Sequence, residues 1–182
     1  MGGAALATYE PYRPLVDQLY RLLPREEAVG EFERRLRHND QRIAELAKVL
    51  APLGIRLDFS TISLVVVEEW YLSEVTADGS RPDRLLNLWY EIASDLGVYV
   101  GETLIRQADR YRWSLCVDPD SRYYQRTVVS CVVDAAGNLW EWDPGQTVAD
   151  LGRQRAIDGK RLRTPFVEGM VEQLTEFRPP QA

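Results

Sequence analysis

The stretch Asp83 to Trp113, DRLLNLWYEIASDLGVYVGETLIRQADRYRW, decides the fold. Within it Leu85, Leu88, Trp89, Ile92, Leu96, Tyr99, Thr103 and Leu104 recur at intervals of three and four, the period that lines one face of an α-helix. Asp83 can accept from a free first-turn amide, so the spacing predicts a helix over 83–108 capped by Asp83. Gly97 and Gly101 fall inside it one turn apart, and each costs about 1 kcal/mol relative to alanine. Two such costs on one face ask for a reason, and a missing Cβ lets another backbone approach closely. That close approach is the most economical reason; a break at Gly97 into two helices is the alternative, and a homodimer packed through Gly97 and Gly101 is a further reading.

After Asp109 the period drops to two. Trp113, Leu115 and Val117 alternate with Arg112, Ser114 and Cys116; Asp118 to Ser121 (DPDS) turns; Arg126 to Val133 forms a second strand, and Leu139 to Trp142 a third. This is an antiparallel meander. Its register sets Cys116 opposite Thr127 and Cys131 opposite Arg112, so the two cysteines are not cross-strand partners. They read as buried inert thiols, with a Cys131 activated by Arg112 as the alternative. Asp143 with Pro144 caps a helix toward Arg155, Thr164 with Pro165 caps another through Phe177, and 179–182 form a frayed tail.

Toward the N-terminus, Tyr12, Leu15, Leu19, Leu22 and Leu23 predict a first helix that Pro24 interrupts. A second is expected over Arg25 to His38 and a third over Gln41 to Leu53, capped by Asn39 or Asp40 and ended by Gly54. Ile55 to Phe59 alternates like a short edge strand. Ser60 to Val75 fits both periods and is read as a helix with Ser60 as its cap, followed by a loop over Thr76 to Pro82. The fold class is α+β: N-terminal helices and a long central helix packed on a small antiparallel meander, with a C-terminal helix. Residues 1–182 read as one domain, with a helical part over 1–54 and an α+β core over 55–178.

Composition narrows the chemistry. The 182 residues are 45% hydrophobic and 27% charged, with 28 acidic side chains against 22 basic ones and a formal charge of −6. That balance argues against a nucleic-acid surface held by counterion release. One histidine and two cysteines leave no room for a histidine-cluster metal site, a CxxC pair or a disulfide framework, and no phosphate-binding or dinucleotide glycine motif occurs. No metal and no cofactor are therefore expected. With no signal-like start and no long apolar run, the expectation is a cytoplasmic protein that does not engage membrane. His38 follows Arg34, Arg35 and Arg37 at an expected helix end, where a solvated role beside the negative dipole end outweighs catalysis.

The charge is uneven. Leu57 to Glu102 carries nine acidic and two basic residues, while the flanking segments are nearly neutral. Glu68, Glu69, Glu91 and Asp95 are thus candidates for an acidic helical surface that engages a basic partner protein without catalysis. The alternative is a small-molecule site or enzyme between the sheet and the central helix, with Glu102 or Asp95 as acid or base and Trp140 or Trp142 stacking substrate.

The string GVYVGETLIRQADRYRW, with Tyr99, Gly101, Glu102, Leu104, Ile105, Arg106 and Trp113, resembles a pattern in small bacterial domains of uncharacterised function. The preceding LDFSTISL is similar to the segment before their acidic helix, so the resemblance covers Leu57 to Trp142. It implies a helix followed by a sheet and loosely suggests proteins of the accessory or immunity kind, while the acidic surface itself suits an immunity- or antitoxin-like or regulatory factor. It carries over no catalytic residue.

Overall fold

The computed structural model describes residues 6–14, 19–134, 136–162 and 166–169, which form an α+β fold. Helix α1 (Arg25–Leu50) runs without a break, followed by α2 (Thr61–Glu74), a ribbon of β1 (Ala77–Asp78) and β2 (Arg81–Leu85), and the central α3 (Asn87–Gln107). The meander β3 (Arg112–Leu115), β4 (Thr127–Val132) and β5 (Leu139–Trp142) then leads into α4 (Pro144–Ala156). Helix α3 packs against α4 and α1 and presents Leu96, Tyr99 and Leu104 to one core with Leu46, Leu50, Leu64, Val67, Tyr71 and Val129.

Helix α3 is continuous through both glycines, and each is used differently. A Cβ at Gly97 would overlap Cα and N of Gly145 at the start of α4, so here the helix is glycine because another backbone lies against it. A Cβ at Gly101 would overlap the Trp113 indole, a side chain and not a backbone. Both positions are covered by this chain's own α4 and β3, which leaves neither open to a second copy.

The meander is antiparallel in the order β3-β4-β5. Its register pairs Arg112 with Ser130 and Leu115 with Thr127, one residue from the expected alignment, and sets Cys131 opposite Trp140. The slip arises in the connection. Instead of a tight DPDS turn, Gln125 adopts a left-handed φ of 61° and donates its amide to the Cys116 carbonyl, while Cys116 donates to that of Arg126. Val129 and Cys131 join Trp113, Trp140 and Trp142 on the helix-facing side, and Val128 packs with Cys116 and Tyr123 on the other.

Several local expectations yield to tertiary contacts. The helices expected on either side of Asn39 and Asp40 are one, because the buried Asn39 side chain donates to Glu102 Oε1 (3.2 Å) instead of capping. His38 therefore sits inside α1, its Nδ1 donating to the Arg34 carbonyl (2.7 Å), and not at a helix end. Residues 11–14 are not helical: Arg42 holds the Glu10 carbonyl and Arg34 that of Arg13, which spreads the strand of chain along α1. Of the expected first helix, the described residues retain a single 3-10 turn, Tyr20–Leu22, and Leu15 lies outside the described residues.

Gly54 ends the α1 region at φ 77°, and Ser60 caps α2 by accepting from Ser63 N (3.0 Å). Ile55 to Phe59 is not a strand; Phe59 turns left-handed at φ 62° and places its ring under the Arg106 guanidinium. The expected loop over Thr76 to Pro82 is the β1–β2 ribbon, turned by Asp78 accepting from Ser80 N and Oγ. Asp83 lies in β2 and caps nothing; α3 begins at Asn87 without a side-chain cap. Asp143 does cap α4, accepting from Gln146 N (2.8 Å) with Pro144 in the first turn. Residues 166–169 are helical, while Thr164, Pro165, Phe177 and the tail lie outside the described residues.

Candidate functional site

The acidic stripe of α3 faces α1 and not solvent. Glu91, Asp95 and Glu102 lie along one side of α3, and Arg35, Asn39 and Arg42 are spaced by four and three on α1, so two polar stripes meet in a helix–helix seam. At its centre Arg42 donates from Nε to Asp95 Oδ1 (3.0 Å) and from Nη2 to Oδ2 (2.6 Å), with both side chains buried. Tyr9 Oη also donates to Asp95 Oδ2 (2.6 Å). Burial works against the Arg42 charge, but the Asp95 carboxylate more than offsets it and holds the arginine pKa above its ordinary value. At one end, Glu102 accepts from Asn39 and from Trp113 Nε1 (2.9 Å) and pairs with Arg106 (3.7 Å).

At the other end the seam opens. A cavity of about 320 Å³ lies between α1, α3, the β3–β4 end of the sheet and the first turn of α4, a volume within the range of small-molecule sites. Its charged walls are Arg35 from α1, Glu91 from α3, Arg126 before β4 and Asp143 before α4. Tyr12, Tyr20, Tyr90 and Trp113 supply aromatic surface, and Gly97 and Gly145 let α3 and α4 meet at its floor.

Two of these charges neutralise each other. Arg126 Nε pairs with Asp143 Oδ2 (2.7 Å), its Nη1 donates to Gln146 (2.8 Å), and the other Asp143 oxygen caps α4. Arg35 is different. Its Nη2 donates to Ser94 Oγ (2.8 Å), its Nη1 to Tyr20 Oη (3.3 Å), and its plane lies near the Tyr12 ring. Among the described residues no carboxylate lies within 4.0 Å of it. Burial opposes its charge, and Tyr20, Tyr12 and Asp143 keep its pKa above the ordinary value, so the cavity wall holds a permanent cation. Glu91 makes no hydrogen bond to another described residue. Burial, and then the neighbouring Asp95 charge, push its pKa up against the pull of Arg35 and Arg42.

The other expected site residues are scattered. Glu68 is wholly buried in α2, accepts from Phe166 N (2.6 Å) and has its pKa pushed up to about 7 by burial. Asp95 is equally inside, so of the four proposed partner-facing carboxylates Glu69 is exposed, Glu91 is half-buried and two are internal. Trp140 and Trp142 do not line the cavity. Trp142 Nε1 is bound to Thr147 Oγ1 (2.7 Å), and Trp140 packs edge-on against Tyr111. The space expected between Glu102 and the sheet is filled by Trp113 seated on Gly101.

A groove of about 610 Å³ beside the Tyr9 to Arg13 segment is lined by His38, Arg34 and Arg42, each of which hydrogen-bonds to the chain itself. Among the described residues no three His, Cys, Asp or Glu side chains gather as a metal cage, and no helix is long and apolar enough to cross a membrane. Reading the sequence missed Arg35, Arg126 and Ser94. The available signal was the 35, 39, 42 spacing on α1, which matches the carboxylate stripe of α3. No family model matches the chain, and no curated protein and no solved structure is similar enough to it to count as a match.

Proposed function

We propose that this chain is a binding protein for a small anionic organic molecule, held in the cavity between α1, α3 and the start of α4. The observation that carries the reading is Arg35, a partly buried guanidinium on the cavity wall with no carboxylate at ion-pair distance among the described residues. A cation removed from water without a counter-ion is costly, and an incoming carboxylate or phosphate offsets that cost through a planar, two-pronged contact. Ser94 and Tyr20 already hold the guanidinium in place, which reduces the ordering needed on binding. The aromatic walls favour a ligand with a flat apolar body. An acidic docking surface for a basic protein draws less support, because Glu68 and Asp95 are internal.

The test is a thermal-shift series with 3-phenylpropanoate, phenyl phosphate and, as neutral control, benzyl alcohol. A site filled at a hundredfold excess over Kd stabilises by about 2.7 kcal/mol, or very roughly 5–10 °C for a chain of this size. At least one anion is expected to raise Tm, benzyl alcohol to leave it unchanged, and Arg35→Gln to abolish the rise. No shift with either anion, or an undiminished shift in Arg35→Gln, refutes the reading.

A further inference from the structure

The cavity offers a second charge of opposite sign. Glu91 lines the same space as Arg35, projects from the adjacent helix, and is not ion-paired to it. The two other charged walls, Arg126 and Asp143, are ion-paired, which leaves the cavity with one cation and one carboxylate that have no opposite charge at ion-pair distance among the described residues, Arg35 and Arg42 acting on Glu91 only from farther away. Such a pair would ordinarily close into a salt bridge. Here Arg35 is instead drawn to Ser94 and Tyr20, and Glu91 stands apart.

We infer that the ligand is a zwitterion, an aromatic amino acid or a close derivative, with its carboxylate on Arg35 and its ammonium on Glu91. This deepens the anion-binding reading above and rests on it. The ammonium supplies Glu91 with a counter-charge in direct contact, which neither Arg35 nor Arg42 makes, and a ring fits among Tyr12, Tyr90 and Trp113 in a volume of about 320 Å³. Specificity follows from the same geometry: a ligand without the amine leaves Glu91 desolvated and unpaired, so it is penalised and not merely less favoured.

The experiment is calorimetric titration of the full chain with three matched probes: L-phenylalanine, 3-phenylpropanoate, which lacks the amine, and phenethylamine, which lacks the carboxylate. L-Phenylalanine is expected to bind at least about tenfold tighter than either. In Glu91→Gln that preference over 3-phenylpropanoate is expected to vanish, while binding of 3-phenylpropanoate itself is kept or improved. Circular dichroism and urea unfolding of the variant establish that it is folded, and the three-probe comparison on the unaltered chain stands whatever the variant does. If 3-phenylpropanoate binds as tightly as L-phenylalanine, the zwitterion inference is overturned and the anion site survives. If only phenethylamine binds, or none of the three does, both readings fall.

Discussion

Replacing Gly97 by alanine should destabilise the protein, although alanine is the better helix former. The substitution adds one methyl group, and in an unencumbered helix interior it is worth about 1 kcal/mol in favour of folding. At Gly97 the new carbon would sit under 3.0 Å from Cα and N of Gly145 and 3.0 Å from the Pro144 carbonyl carbon. Carbon atoms pack at roughly 3.5–4.0 Å, so α3 and α4 must part by about 1 Å. The obstacle is backbone, which has no rotamer to escape into, so the cost lies at or above the upper end of the usual overpacking range of about 1–3 kcal/mol. After the propensity gain, the expected net loss is about 2–3 kcal/mol.

Gly30 supplies the control. It lies inside α1, is exposed, and has nothing within 4 Å of its would-be Cβ, so Gly30→Ala should gain up to about 1 kcal/mol. Urea unfolding of both variants beside the parent, with unchanged m-values, reads the difference directly. Because Gly97 and Gly145 also line the cavity, Gly97→Ala should weaken ligand binding as well. If Gly97→Ala is as stable as the parent, or stabilised like Gly30→Ala, the close approach of α3 and α4 is refuted.

Other perturbations reach other parts of the account. Asp95→Ala strands the buried Arg42 guanidinium and should cost about 3–5 kcal/mol in urea unfolding; a loss under 1 kcal/mol would show that the pair is solvated. Glu68 keeps its proton to about pH 7 in the native chain but only to about 4.5 when unfolded, so stability falls as pH rises through that window and is lowest above it. Glu68→Gln should therefore gain roughly 1–3 kcal/mol at pH 8 and little at pH 4, and parallel stability–pH curves for variant and parent would contradict this. Cys116 and Cys131 are buried, and burial above all pushes both thiols up in pKa, so iodoacetamide should modify them only as fast as the chain opens. Rapid labelling of the native protein at neutral pH would disprove it.

The elements legible from sequence are those whose signals are local or strictly periodic. The apolar stripe from Leu88 to Leu104 marked the central helix, Ser60 and Asp143 marked two caps, and alternation from Trp113 onward marked the meander. The failures share a cause. Asn39 and Asp83 are good caps by local preference, but one is spent on Glu102 across the seam and the other is drawn into a ribbon that Asp78 turns. The strand register slipped because the left-handed Gln125, buried and tied to the Tyr20 and Leu23 carbonyls, depends on contacts about a hundred residues away.

The site was half legible. Glu91 was singled out for its charge, but the meaning of that charge depended on what α1 places opposite. The local excess of carboxylates looked like a surface because their partners, Arg42 and Asn39, lie some fifty to sixty residues earlier in a helix expected to break between them. Arg35 was hidden among Arg34 and Arg37, which have carboxylates of their own on α1, Glu31 and Glu33. Of these three, Arg35 alone has no carboxylate at ion-pair distance among the described residues, and only the packing of α1 on α3 sets it on the cavity wall.

The most direct measurement of the central claim is calorimetric titration of 3-phenylpropanoate into the parent chain and into Arg35→Gln at low salt. Saturable binding at one site in the parent, weakened at least about tenfold in a variant that unfolds at the same urea concentration, is the predicted result. Equal binding by both, or no binding by the parent, would contradict a cavity built around the unpaired charge of Arg35.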